Sequence, residues 1–303
     1  ILKENGNLGM IVPISYVSTK RMKPVRQLLS DNSKYQFCSS FADRPSCLFN
    51  GVHQKLNIIL LEKERKSKNN TLYTSNYIHW YKEDRNEIFT NIFYKENNFD
   101  TSDFIFKTGN EIEVNIINKI SFSKNHNILS NTVKNSEFPI WLNMRLCFWN
   151  KSFTKSQKSN EYKMFHFKNE TDAIIFSALL NSNIFFFYWE TISDVWHITL
   201  KDLDYFKINF EKLNDYERSE IVAIYKQLEI NLEKNKRKID SKQTQFEYQH
   251  KKDKLLIDKL DVIFKRIFSF TDEELEYIRD YQLKFRLNGE LTNYLKKRDY
   301  ERN

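Results

Sequence analysis

Residues 173–206 read AIIFSALLNSNIFFFYWETISDVWHITLKDLDYF. An aromatic-rich apolar run gives way abruptly to the polar cluster Ser193-Asp194, His197, Thr199 and Lys201-Asp202. Roughly 20 apolar residues span a bilayer, so length alone suggests a membrane segment. Asn181, Ser182, Asn183 and Glu190 interrupt the run, however, and buried amides and carboxylates are costly in lipid. The stretch is therefore expected to be a helix buried in a protein core and feeding a functional loop, with no membrane involved.

Outward from this stretch, composition sets limits. The 303 residues can hold two or three compact units, and 40% hydrophobic with 15% aromatic residues supply packed cores. Glycine is scarce: 5 residues, where average usage would give about 21. No two of Gly6, Gly9, Gly51, Gly109 and Gly289 have the spacing of a phosphate-cradling loop, which excludes such a loop from these residues. A net charge of +8 and a pI of about 9.1 suit a polyanionic partner; many solvated lysines from an AT-rich genome would give the same balance. Cys38, Cys47 and Cys147 lack metal or disulfide spacing and suit a reducing cytoplasm. The chain opens on Ile without a start Met, so a piece of a longer protein is expected.

Along the chain, Leu8-Gly9-Met10-Ile11-Val12-Pro13-Ile14 reads as a buried parallel strand. A helix is expected over residues 20–29, with Val25, Leu28 and Leu29 on one face and Pro24 in its first turn. Residues 35–41 and 56–61 read as two more strands, and the polar run 63–70 as a boundary. The alternation of EIEVNIINKI, residues 111–120, predicts a half-buried strand. Asn214 or Asp215 can cap a helix through Ile221, Ile224, Leu228 and Leu232, and helical spacing recurs from Leu256 to Phe264. Residues 243–252 read as a polar linker or continuous helix, and Thr271 to Glu274 as a capping box.

The pattern of Leu180-Asn181-Ser182, Ser193-Asp194, His197, Thr199 and Asp202 resembles the end of the target-recognition domain in TaqI-like adenine-N6 DNA methyltransferases of type II restriction–modification systems. Two further stretches resemble the same enzymes, in the same order. Gly6, Leu8-Gly9 and Ile11-Val12-Pro13, then Arg44-Pro45-Ser46, Leu48-Phe49, Gly51-Val52 and Ile58-Ile59-Leu60, resemble late parts of the catalytic fold. Ile257-Asp258-Lys259-Leu260-Asp261, Phe270 to Leu275 and Tyr281 to Arg286 resemble the C-terminal tail. Residues 77–89 have the flavour of the entry to the recognition domain.

The resemblance implies an α/β remnant of a Rossmann-like methyltransferase sheet in residues 1–64. An α+β target-recognition domain (65–212) and a helical C-terminal extension (213–303) follow. It places Phe49, Val52, His53 and Lys55 around a flipped adenine, Phe49 stacking and His53 or Lys55 donating to a ring nitrogen. Without it, Phe49 reads as core and Lys55 as solvated. Arg145, Lys151, Lys155 and Lys158, interleaved with Trp141, Trp149 and Phe153, are expected on a DNA-contacting surface. Ser193, Asp194, His197, Thr199 and Lys201 are expected to touch phosphate or base. Asp194 or Thr199 can equally cap a helix begun at Leu200, and His197 can bind backbone.

These enzymes hold S-adenosylmethionine with a glycine-containing loop and accept the amine protons with an Asn/Asp-Pro-Pro-aromatic motif. Neither occurs here, and no two prolines are adjacent. The cofactor is therefore expected in the parent protein and not on this chain. The expected partners are double-stranded DNA and a missing N-terminal catalytic half. A DNA-binding specificity module without chemistry is the alternative; a nuclease lacks the Asp…Glu-x-Lys set. Ser193, Asp194 and His197 lie too close in sequence to line up as a hydrolytic triad. His79 with Glu83, and His126, give no metal set, and residues 234–238 read as a solvated helix face.

Overall fold

The computed structural model describes residues 2–64, 70–239 and 245–302. Residues 65–69 of the polar boundary and 243–244 of the polar linker lie outside the described residues. The chain forms two compact units, Ile1–Asn115 with Glu190–Asp194, and Ile116–Trp189 with Val195–Asn303.

The first unit is built on a five-stranded mixed sheet. Its strands are β1 (Asn7–Pro13), β2 (Ser33–Phe41), β3 (Leu56–Lys63), β4 (Thr71–Ile78) and β5 (Lys95–Glu96), in the order β1-β3-β2-β4-β5. Only β2 and β4 run parallel; β1 and β2 both pair antiparallel with β3. The parallel, buried placement expected for β1 is thus corrected. It is an edge strand with alternate residues facing solvent, which suits Pro13 at its end because proline cannot donate to a ladder. Two helices, α1 (Ser15–Ser18) and α2 (Lys23–Ser30), join β1 to β2, with Pro24 in the first turn of α2 as expected. The face of α2 that carries Val25 and Leu28 looks to solvent, Leu28 being 63% exposed. Arg26 turns inward instead, its guanidinium donating to the carbonyls of Tyr16 (2.6 Å), Thr19 (2.9 Å) and Ser102 (3.0 Å). Three carbonyl acceptors outweigh the gain from burying two aliphatic side chains on so short a helix.

Residues 111–120 are helical, not extended: α3 spans Glu111–Ser121. Glu113, Ile116, Ile117 and Ile120 are buried, a spacing of three and four that the apparent alternation concealed. Asn110 Oδ1 accepts from the Glu113 amide (2.9 Å) and Glu113 Oε2 from the Gly109 amide (2.6 Å), which fixes the helix start. A side chain at Gly109 would lie 2.8 Å from the backbone nitrogen of Asn76, so only glycine fits.

The second unit contains a three-stranded antiparallel sheet, β7-β6-β8, from β6 (Phe138–Asn143), β7 (Ser152–Phe153) and β8 (Tyr162–Phe167). The long apolar run forms two helices, α4 (Glu170–Leu180) and α5 (Asn183–Ile192), bent by 60° at Asn181-Ser182. Among the described residues no single helix is long and apolar enough to cross a membrane; α4 and α5 reach that length only together across the bend, and their apolar side chains are buried. Helix α6 (Leu200–Asp204) is capped by Thr199 in a reciprocal box with Asp202, the alternative left open by the sequence. Helix α7 (Asp215–Asn235) starts at an Asn214–Glu217 box. The short pair β9 (Arg237–Lys238) and β10 (Phe246–Glu247) follows. Helices α8 (Lys254–Phe268), α9 (Asp272–Asp280), α10 (Leu283–Leu287) and α11 (Leu291–Arg302) complete the unit, with Thr271 and Glu274 forming the expected box. The chain is thus α/β with a helical C-terminal region.

A buried polar network ties these helices together. Asp261 Oδ1 accepts from the amides of Asn183 (3.1 Å) and Ile184 (3.3 Å), satisfying the start of α5. The Asn183 side-chain amide donates to Asp258 (3.0 Å) and to Asp261, while its Oδ1 accepts from Arg286 (2.7 Å). Lys254 pairs with Asp258, whose second oxygen accepts from the Tyr294 hydroxyl at 2.7 Å. Burial pushes the Asp261 carboxyl up to about 7 and the Lys254 ammonium down. Such a cluster specifies how α5, α8 and α10 fit together, because each charge finds a partner only in this arrangement.

Candidate nucleic-acid interface

In the first unit the candidate surface is the loop of residues 42–55 between β2 and β3, which contains a cis Arg44–Pro45 bond. The Val52 amide donates to the Phe49 carbonyl (3.0 Å), closing a turn with Gly51 at φ 75°, a conformation that favours glycine. Phe49 and Val52 stand 47% and 44% exposed at this turn, with His53 exposed beside them. Lys55 turns inward and pairs with Asp43 at 3.1 Å. The structure therefore brings Phe49, Val52 and His53 to one exposed tip, while the Lys55 ammonium serves the base of the loop.

Two side chains the sequence reading did not assign hold that loop. The Arg85 guanidinium donates to the carbonyls of Cys47 (3.2 Å) and Leu48 (2.7 Å). His79 Nδ1 lies 2.9 Å from the Arg44 carbonyl, and its Nε2 lies 3.1 Å from Glu190 Oε1. Both His79 and Glu190 side chains are buried. The sequence carried a trace of Arg85 in the charged run 83–87, but a partner 111 positions away from His79 leaves no local signal. Among the described residues no group of His, Cys, Asp and Glu could hold a metal ion.

The polar cluster that follows α5 divides between the units. Ser193 is buried, and its carbonyl accepts from the Lys107 ammonium (2.7 Å), which also binds the Thr191 carbonyl (3.0 Å). Asp194 is half-buried. In the second unit, Val195 adopts φ 55° and the chain then pairs with the segment after β6. The Leu146 amide donates to the Trp196 carbonyl (3.1 Å) and the Ile198 amide to the Met144 carbonyl (2.9 Å). That bridge sets Arg145 directly opposite His197. The His197 carbonyl is fixed by the Trp189 indole (3.0 Å), and its ring is exposed next to Trp196.

Arg145 also pairs with Glu161 at 3.1 Å and keeps 41% of its side chain exposed. Thr199 and Lys201 follow at the start of α6, Lys201 pairing with Asp202 at 3.2 Å. Lys151 is half-buried, and burial lowers its ammonium below the usual lysine range. Lys155 is exposed on the next loop. The arrangement presents an arginine, an imidazole and an indole on one pinned backbone ladder, a set able to contact phosphate and base edges.

Gly6 and Gly9 flank and occupy the edge strand, Gly51 makes the exposed turn, Gly109 abuts Asn76, and no two glycines share a loop.

No family model matches the chain, and no curated protein matches it. Among solved structures it is similar to the type IIL restriction–modification enzyme MmeI in complex with DNA, at a TM-score of 0.49 and 11% identity over 96% of this chain and 50% of that one. It is also similar to the type IIG restriction endonuclease BpuSI, at a TM-score of 0.34 and 10% identity over 92% of this chain and 46% of that one. The chain spans about half the length of each.

Proposed function

We propose that this chain is part of a site-specific adenine-N6 DNA methyltransferase of a restriction–modification system, acting in the cytoplasm. It would carry target recognition and one wall of the flipped-adenine pocket. The supporting observation is the tip formed by Phe49 and Val52: two apolar side chains kept in solvent on a loop pinned by Arg85 and His79. A pinned, exposed ring is suited to stack on a base that has left the helix, where stacking offsets the few kcal/mol lost on unpairing. In the second unit Arg145, Lys151, Lys155, His197, Thr199 and Lys201 would contact the duplex, and in the first unit Ser193 and Asp194 would do so. S-adenosylmethionine and the groups that accept the amine protons would belong to another part of the parent protein. In this reading residues 1–64 end the catalytic domain, 65–212 recognise the target, and 213–303 extend it.

Binding to a fluorescent duplex, followed by anisotropy between about 50 and 200 mM salt, tests the reading, because phosphate contacts weaken linearly on a log–log salt plot. Absence of salt-dependent duplex binding would overturn it. A second reading is a specificity module that acts with a separate catalytic chain. Finding the donor loop and the Pro-Pro motif upstream in the same open reading frame would eliminate that one.

A further inference from the structure

Between the loop joining β7 to β8 and the end of α7, the second unit holds a half-open cleft of about 410 Å³, within the usual size of small-ligand sites. Its floor is aromatic. Tyr248 and Tyr162 flank the buried Phe153, at ring-centroid distances of 4.6 and 6.2 Å, and Phe246 lies 4.4 Å below the Lys236 ammonium. One wall is polar: the Tyr248 hydroxyl sits 3.2 Å from Gln157 Oε1 and 3.1 Å from Glu233 Oε1, and Glu233 Oε2 accepts from Lys236 at 2.6 Å. Lys236 is therefore not the solvated helix residue expected from sequence; it lies past the end of α7, over a ring. At the rim, Lys155 and Lys158 are exposed, and their ammonium groups have no carboxylate partner among the described residues. Burial pushes the Tyr162 phenol up to about 12 and raises that of Tyr248, so both hydroxyls stay protonated as donors.

Each part of the cleft narrows the ligand. The carboxylate, amide and hydroxyls exclude a purely apolar guest. Three lysines against one carboxylate disfavour a cation. Flat π faces beside a hydrogen-bonding wall select a planar ring with a polar edge, and the two rim ammoniums select an anion attached to it. The geometry points to a nucleotide-binding pocket, the base lying on Tyr162, Phe246 and Tyr248 and the phosphate meeting Lys155 and Lys158. The nucleotide comes either from solution or from an unpaired position of a DNA strand. The pocket goes beyond the adenine-methylation reading and does not depend on it.

Calorimetric titration of the full chain with each of the four deoxynucleoside monophosphates, a 5′-phosphorylated trinucleotide and inorganic phosphate tests this. Saturable binding of at least one monophosphate or of the trinucleotide is expected. It should weaken about tenfold in Phe246→Ala and in the Lys155→Gln/Lys158→Gln double variant, as loss of one stacking face or of the phosphate contacts requires. The double variant alters only exposed side chains, so it reports even if the aromatic change disturbs folding. A trinucleotide bound at least about tenfold tighter than any monomer assigns the site to a DNA strand, and equal binding assigns it to free nucleotide. No saturable binding, inorganic phosphate binding as well as nucleotide, or affinity unaffected in the double variant would each overturn the assignment. No duplex is present, so these outcomes are separate from those of the duplex experiment.

Discussion

Arg286 donates a 2.7 Å hydrogen bond to Oδ1 of Asn183 across 103 positions of sequence, and its guanidinium lies 4.2 Å from the Trp149 ring and 4.1 Å from the Phe186 ring. The same side chain reaches the Phe148 carbonyl at 3.2 Å. One cation thus fixes the start of α5 against the segment after β6. Arg286→Ala should destabilise the chain by about 3–5 kcal/mol in urea unfolding, since it leaves buried acceptors unpaired and two rings uncovered. Arg286→Lys should recover less than half, because a lysine cannot bond two acceptors from a flat, stacked group. A loss under about 1 kcal/mol for the alanine variant would show that the network is dispensable.

Asp261 gives a pH signature. Burial, then the neighbouring Asp258 charge, raise its carboxyl from 3.8 to about 7, so the folded chain holds a proton there that the unfolded chain has released. Its contribution is complete below the unfolded pKa and is lost as pH rises through the folded one. Relative to Asp261→Asn, the wild type should lose stability by a few kcal/mol between about pH 4 and 7. Chemical unfolding of both proteins across that range checks it; a constant difference would mean that the carboxyl titrates normally.

Phe49 should matter for base capture and not for folding. Phe49→Ala is expected to leave stability within about 0.5 kcal/mol, as for other exposed positions. It should also reduce by about tenfold any preference for a duplex with a mismatched adenine over a fully paired one. An unchanged preference would detach the loop tip from base flipping.

Glu161 competes with DNA phosphate for Arg145 if the ladder touches the duplex. Glu161→Gln should therefore raise duplex affinity, whereas Arg145→Gln should lower it and reduce the salt slope by about 1. Parallel effects of the two variants would place Arg145 outside the interface.

Much of this architecture was legible where signals are local. The Asn214, Thr199 and Thr271 caps follow from side chains three residues from their partners, and β3 from its apolar run Ile58 to Leu61. Errors arose where short-range pattern and long-range partner disagree. Residues 111–120 alternate like a strand, yet helical spacing of Ile116, Ile117 and Ile120 buries all three on one face. The apolar stretch from Ala173 reads as one helix, but buried acceptors at Asp258 and Asp261 draw the Asn183 amide away and accompany a bend. His79 with Glu190, and Arg85 with the loop carbonyls, were invisible because their partners lie far along the chain. The stretches resembling methyltransferase motifs owe part of their pattern to assembly: Asp258, Asp261 and Arg286 all converge on Asn183.

The ammonium of Lys107, 1% exposed, is held by the carbonyls of Thr191 and Ser193. Residues 190–194 are therefore as much part of the first unit as its own strands, although 74 residues of the other unit separate them from Asn115 in sequence. A polypeptide ending at Asn115 would strand that ammonium without these two acceptors and His79 without Glu190. Cutting, swapping or circularly permuting this protein must respect that loan: the first unit is not a linear cassette, and a graft that takes residues 1–115 must bring residues 190–194 with it.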